Sequence, residues 1–131
     1  MFIRFITEFV NESGDTQTGI FNALAFIRDH HGTQDDDCYK LKLLTGWFNT
    51  YLEKPDRLSK AKSKNPAAIS LSWFKDSAKS HIDKMRELEK ILSSYGLIVD
   101  TVTTKNPGYI VYEDDYQISA IPFKGDAKKV L

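Results

Sequence analysis

The sequence predicts an α+β domain, with a mixed four- to five-stranded sheet packed with three helices in the order β-α-α-β-α-β-β-β. Three observations carry that expectation. Short runs rich in aromatic and β-branched residues lie at the N-terminus and over the last third of the chain, as strands require. Three longer segments between and beside them repeat apolar residues at helical spacing. The length of 131 residues, with 41% hydrophobic and 27% charged residues, is that of one ordinary globular domain and excludes a disordered or fibrous chain.

The first run, Phe2 to Val10, places Ile3, Phe5 and Phe9 on one parity and Phe2, Ile6 and Val10 on the other, the mark of an interior strand covered on both sides. Asn11 to Gly19 reads as a polar loop whose Asp15 or Thr16 caps a helix reaching about His30, with Ile20, Leu24 and Ile27 on one stripe. His31-Gly32-Thr33 then stops that helix and starts another. Gly32 suits a left-handed end and Thr33 an N-cap, and Asp35, Asp36 and Asp37 occupy the first turn, where the helix dipole favours negative charge. This second helix extends to about Leu52, with Cys38, Leu41, Phe48 and Leu52 near helical spacing and Leu44 beside them.

Lys54 to Pro66 is irregular. Beyond it, Ile69, Leu71 and Trp73 alternate with Ser70 and Ser72, a short strand by period. Were that segment instead the first turn of the next helix, the fold would become a four-stranded antiparallel α+β sandwich. Asp76 or Ser77 caps the third helix, Asp76 to Tyr95, whose Ile82, Met85, Leu88 and Leu92 are to face the sheet. Gly96 ends it. Leu97 to Thr104 is the next strand, forming a right-handed βαβ unit if parallel to Ile69–Phe74. Turns at Lys105–Gly108 and Glu113–Asp115 separate the strands Tyr109–Tyr112 and Tyr116–Phe123. Residues 1–123 thus form a single domain and 124–131 a polar tail, frayed at its end.

Composition narrows the function. Eighteen Lys and Arg against eighteen Asp and Glu give no net charge, which disfavours a protein held to nucleic acid by global charge. The lone Cys38 allows no internal disulfide, no run approaches the roughly 20 apolar residues of a membrane span, and Met1–Val10 is broken by Arg4 and Glu8, unlike a signal peptide. A cytoplasmic location with no membrane contact is the expectation.

Chemical motifs are sparse. His30, His31, Cys38 and His81 match no zinc spacing, so no metal is expected. His81 reads as a partly buried structural histidine, and His30 and His31 complement a helix C-terminus. The aspartates before Cys38 oppose the thiolate that a nucleophile needs. The loop Asn11–Gly19 lacks both glycine-rich phosphate motifs, and Glu12 and Asp15 would repel a phosphate, so no nucleotide cofactor is expected. The acidic runs Asp35–Asp37 and Glu113–Asp115 are better explained by helix and turn chemistry than by cation binding.

One surface feature stands out. Between Lys54 and Lys64, five cations (Lys54, Arg57, Lys60, Lys62 and Lys64) stand against a single acid, Asp56, and Trp73 is near enough in sequence to add a stacking surface. The segment is expected to be exposed and more mobile than its surroundings, because five cations cannot be buried without partners. The reading that follows is a small interaction module, without catalysis, that binds an acidic patch on another protein through charged surface. Two alternatives remain open: nucleic-acid binding through the same five cations, and an enzyme whose pocket is built from scattered residues such as Arg4, Glu8, His81, Tyr112 and Glu113. Oligomeric state is not indicated.

Overall fold

The computed structural model describes residues 1–30, 35–53 and 70–123. Within them the chain forms β1 (Phe2–Val10), β2 (Thr16–Thr18), α1 (Ile20–His30), α2 (Asp35–Tyr51), β3 (Leu71–Lys75), α3 (Lys79–Ser94), β4 (Val99–Thr104), β5 (Tyr109–Glu113) and β6 (Gln117–Ile121). The α+β class, the three helices and the expected element order are present, with β2 added. The sheet differs from the expectation in two respects: it has six strands and it is antiparallel.

Each difference has an identifiable cause. The strand order is β2-β1-β3-β6-β5, and β4 pairs with β1. Since β3 and β4 both run antiparallel to β1, they point the same way and α3 connects them as a crossover. They share β1 as a neighbour instead of bonding to each other, so no parallel ladder forms. The sixth strand comes from the loop after β1. Asn11 Oδ1 accepts from the amides of Ser13 (3.0 Å) and Asp15 (2.9 Å), an Asx turn that folds the chain back and pairs Val10 with Thr16 and Glu8 with Thr18. Asp15 and Thr16 are therefore spent on a turn and a strand. The helix they were expected to cap begins later, at Ile20, where the Ala23 amide bonds the Gly19 carbonyl at 3.0 Å.

The chain divides into two compact units, each assembled from separate stretches of sequence. Among the described residues, one comprises 1–4, 52–53, 70–82 and 102–123. Its core is the β3–β6 pair, registered from Leu71 opposite Ala120 to Phe74 opposite Gln117, with Trp73, Ile118 and Ala120 buried and Phe2 and Val102 packed against them. This pairing makes Leu71–Lys75 a strand and removes the helical alternative. The third helix starts at Lys79 rather than Asp76. Residues Lys75 to Ala78 form a turn closed by the Ala78 amide on the Lys75 carbonyl (3.0 Å), and the Asp76 carboxylate lies 3.4 Å from the Met1 ammonium instead of capping.

The other unit comprises, among the described residues, 5–30, 35–51 and 83–101. Leu24 and Ile27 of α1, Leu41, Leu44 and Phe48 of α2, and Met85, Leu88 and Leu92 of α3 are buried, as their helical spacing predicts. Aromatic contacts tie α1 to its neighbours: Phe26 lies 4.9 Å from Phe9 of β1, and Phe21 meets Phe48 edge-on at 5.5 Å. The Tyr95 hydroxyl donates to Asp37 at 2.9 Å, so one aspartate of the acidic run anchors the start of α2 to the chain following α3.

Candidate interaction surface

The five cations singled out by sequence, Lys54, Arg57, Lys60, Lys62 and Lys64, lie outside the described residues. Trp73 does not. It is 1% exposed at the centre of the β3–β6 core, so its ring cannot stack on a base, and its role is packing.

Of the scattered residues of the enzymatic alternative, Arg4, His81 and Glu113 are engaged in the fold. Arg4 is held in a setting where burial pulls its pKa down, and its guanidinium donates to the Ser72 carbonyl at 2.9 Å. His81 is buried with its ring 4.4 Å from Tyr116 and 6.1 Å from Phe74. Glu113 pairs with Lys75 at 2.6 Å, and Glu8 is an exposed residue of β1. Among the described residues no three His, Cys, Asp or Glu side chains are grouped to hold a metal ion, and no helix is long and apolar enough to cross a membrane.

Within the second acidic run, Asp114 organises the β5–β6 turn. Its carboxylate accepts from the amides of Tyr116 (2.8 Å) and Gln117 (2.9 Å), from the Tyr112 hydroxyl (2.9 Å) and from Gln117 Nε2 (3.1 Å). Gln117 Nε2 also donates to the Glu53 carbonyl. Burial pushes the Asp114 carboxyl upward, but the hydrogen bonds from Tyr116, Gln117 and Tyr112 outweigh it and hold the group below its ordinary value. A carboxylate favoured in this way stabilises the fold above the unfolded-state pKa, and the contribution fades as pH falls through the lower folded-state value. Asp114→Ala is expected to cost about 1–2 kcal/mol in urea unfolding near neutral pH. The gap from the unaltered chain should narrow as pH falls below the ordinary carboxylate value of 3.8. A gap that is constant with pH would mean that the charge contributes nothing.

The outer side of α2 is a different kind of surface. A helix turns about 100° per residue, so Leu41, Leu44 and Phe48 share one side, and Tyr39, Leu43, Gly46 and Thr50 share the opposite one. Tyr39 is 65% exposed and Leu43 56%, although both are large and largely apolar. Exposed Tyr51 extends this surface, and Trp47 is half-buried between Phe48 (5.2 Å) and Tyr51 (5.1 Å), with the Lys84 ammonium 5.8 Å from its ring. Gly46 is equally telling. A Cβ built there would meet nothing within 4 Å among the described residues, so none of their contacts requires glycine. Yet glycine inside a helix costs roughly 1 kcal/mol relative to alanine.

The sequence reading stopped at the first apolar stripe of α2 and missed this second one. Its signal was present in the 4-3-4 spacing of Tyr39, Leu43, Gly46 and Thr50. Comparison with protein-family models, with curated proteins and with solved structures finds no match to this chain.

Proposed function

We propose that the chain is a protein-interaction module that acts by docking, without catalysis of its own, and that the outer side of α2 is its main contact surface. The observation that carries this reading is the second apolar stripe of α2, where Tyr39 and Leu43 are exposed on the side opposite the buried Leu41, Leu44 and Phe48. A helix that only packs on its own core presents polar residues outward, and exposed apolar side chains in a row mark contact sites. The cation-rich segment Lys54–Lys64 adds an electrostatic element suited to an acidic patch on a protein, which speeds encounter more than it deepens affinity. A cytoplasmic setting belongs to the same proposal.

The test compares three forms of the immobilised chain: unaltered, Leu43→Lys, and Lys60, Lys62 and Lys64 all changed to Glu. Because Leu43 is exposed, its replacement should leave the melting temperature nearly unchanged. A protein retained by the unaltered chain and lost from Leu43→Lys supports docking on α2, and weaker retention by the charge-reversed form supports the electrostatic element. Equal retention by all three sinks the reading. Retention of nucleic acid that falls steeply with salt, is lost on charge reversal and is indifferent to Leu43→Lys would establish the nucleic-acid alternative instead.

A further inference from the structure

We infer that the outer side of α2 is filled by a second copy of this chain, with the two α2 helices packed antiparallel about a two-fold axis. The inference rests on the docking role proposed above and names its partner.

The argument begins with side-chain size. Tyr39, Leu43, Gly46 and Thr50 follow the 4-3-4 spacing of a coiled-coil seam, in which each side chain enters a hole on the facing helix. The seam is divided by bulk: Tyr39 and Leu43 are large and exposed, and Gly46 and Thr50 are small and exposed. Turned antiparallel, the seam becomes complementary to itself. Leu43 of each copy faces Gly46 of the other, and Tyr39 faces Thr50. The open space around Gly46 is then the hole for a leucine, which gives the exposed helical glycine a reason that the single chain lacks. Thr50 keeps its hydroxyl satisfied on the Gly46 carbonyl at 2.9 Å and can turn its methyl group to the seam. A two-fold contact of this kind uses the same patch on both copies, as isologous dimers do.

Charge selects the same orientation. The exposed lysines flanking the seam, Lys40 and Lys42, lie in its first half, and the stretch from Leu43 to Tyr51 carries no charge. Antiparallel packing therefore sets Lys40 opposite Asn49 of the other copy and keeps each Lys42 away from its own counterpart, while placing it at Trp47, where the Lys84 ammonium lies 5.8 Å from the ring. Asp36, one turn before Tyr39, falls beyond the end of the facing helix. Parallel packing would set each lysine against its own copy, Tyr39 against Tyr39, and Gly46 against Gly46 with a void between them. Area fixes the strength: one pair of helices of this length covers less than the roughly 1,200 Å² of a standard interface, so the dimer is weak and forms with rising concentration.

Sedimentation equilibrium of the full chain from about 10 μM to about 1 mM tests the inference, since weak interfaces associate in that range. The unaltered chain should pass from monomer to dimer. Gly46→Leu decides between a fitted seam and mere stickiness. Leucine is a better helix former than glycine, and position 46 is exposed with nothing within 4 Å of a Cβ among the described residues, so the fold should be retained or strengthened, as read by circular dichroism and melting. The leucine nevertheless occupies the hole, and the dimer should weaken by about tenfold or more. Equal or tighter association of Gly46→Leu would mean non-specific apolar contact and would overturn the inference. So would an unaltered chain that stays monomeric throughout. If in that case Leu43→Lys still loses a retained protein, only the partner is wrong; if retention is also unchanged, the docking role falls with it.

Discussion

Gly108→Ala should destabilise the chain by about 3–6 kcal/mol, the combined cost of a disfavoured backbone conformation and of overpacking. Gly108 has φ +122°, and a Cβ placed on it would stand 1.9 Å from the Ile121 carbonyl oxygen, 2.7 Å from its carbon and 2.9 Å from Pro122 Cα. Every one of those atoms is backbone, so no side chain can swing away to make room. Relief requires moving the end of β6, where Tyr109 pairs with Ile121 and the Tyr109 ring meets Phe123 at 5.0 Å. The fall in melting temperature should be about 10–20 °C for a chain of this size. Gly96→Ala is the control: it also has positive φ (+85°) but open space, so only the backbone term remains, about 1–2 kcal/mol. Equal melting of the two variants would mean that the end of β6 gives way to a Cβ at position 108 at no cost.

Leu88→Ala should cost about 2–5 kcal/mol, the range for fully buried leucines, with the spread set by how far the neighbours can close the cavity. Leu88 has no exposed surface and lies between Met85 and Leu92 on the buried stripe of α3. These neighbours belong to a helix on which Arg86 also lies over the Phe5 ring at 5.6 Å, so collapse would have to drag a surface side chain inward. A loss below about 0.5 kcal/mol would match a surface substitution and remove α3 from the core.

The helices were the most legible part of the chain. Met85, Leu88 and Leu92, and likewise Leu41, Leu44 and Phe48, are buried where helical period places them. The third helix also stops where Gly96 stands, with the Leu97 amide returning to the Leu92 carbonyl at 3.1 Å. Capping residues were less legible. Asp15, Thr16, Asp76 and Ser77 are all competent caps, but Asn11 draws the first pair into a hairpin, and the Lys75–Ala78 turn takes up the second. The chemistry of such residues is the same in a cap and in a turn, and only the neighbouring strand decides between them.

Of the proposed surface, the cation-rich segment stands out in sequence because a run of like charges is local, but it lies outside the described residues, and the apolar part was overlooked although its spacing is equally local. Trp73 shows the opposite limit. The alternation of Leu71 and Trp73 with Ser70 and Ser72 marks a strand but does not say which side is covered, and burial against Ile118 depends on a strand more than forty residues away in sequence.

Sequence by itself therefore determined the α+β class, the three helices with their buried stripes, and the turns at Gly96 and before Tyr109, because each depends on residues within a few turns of one another. Tertiary structure alone decided that β4 pairs with β1 instead of β3 and that Tyr39 and Leu43 remain uncovered. Those outcomes depend on which distant strand or helix wins a shared edge or face, a competition between long-range contacts that no local pattern encodes.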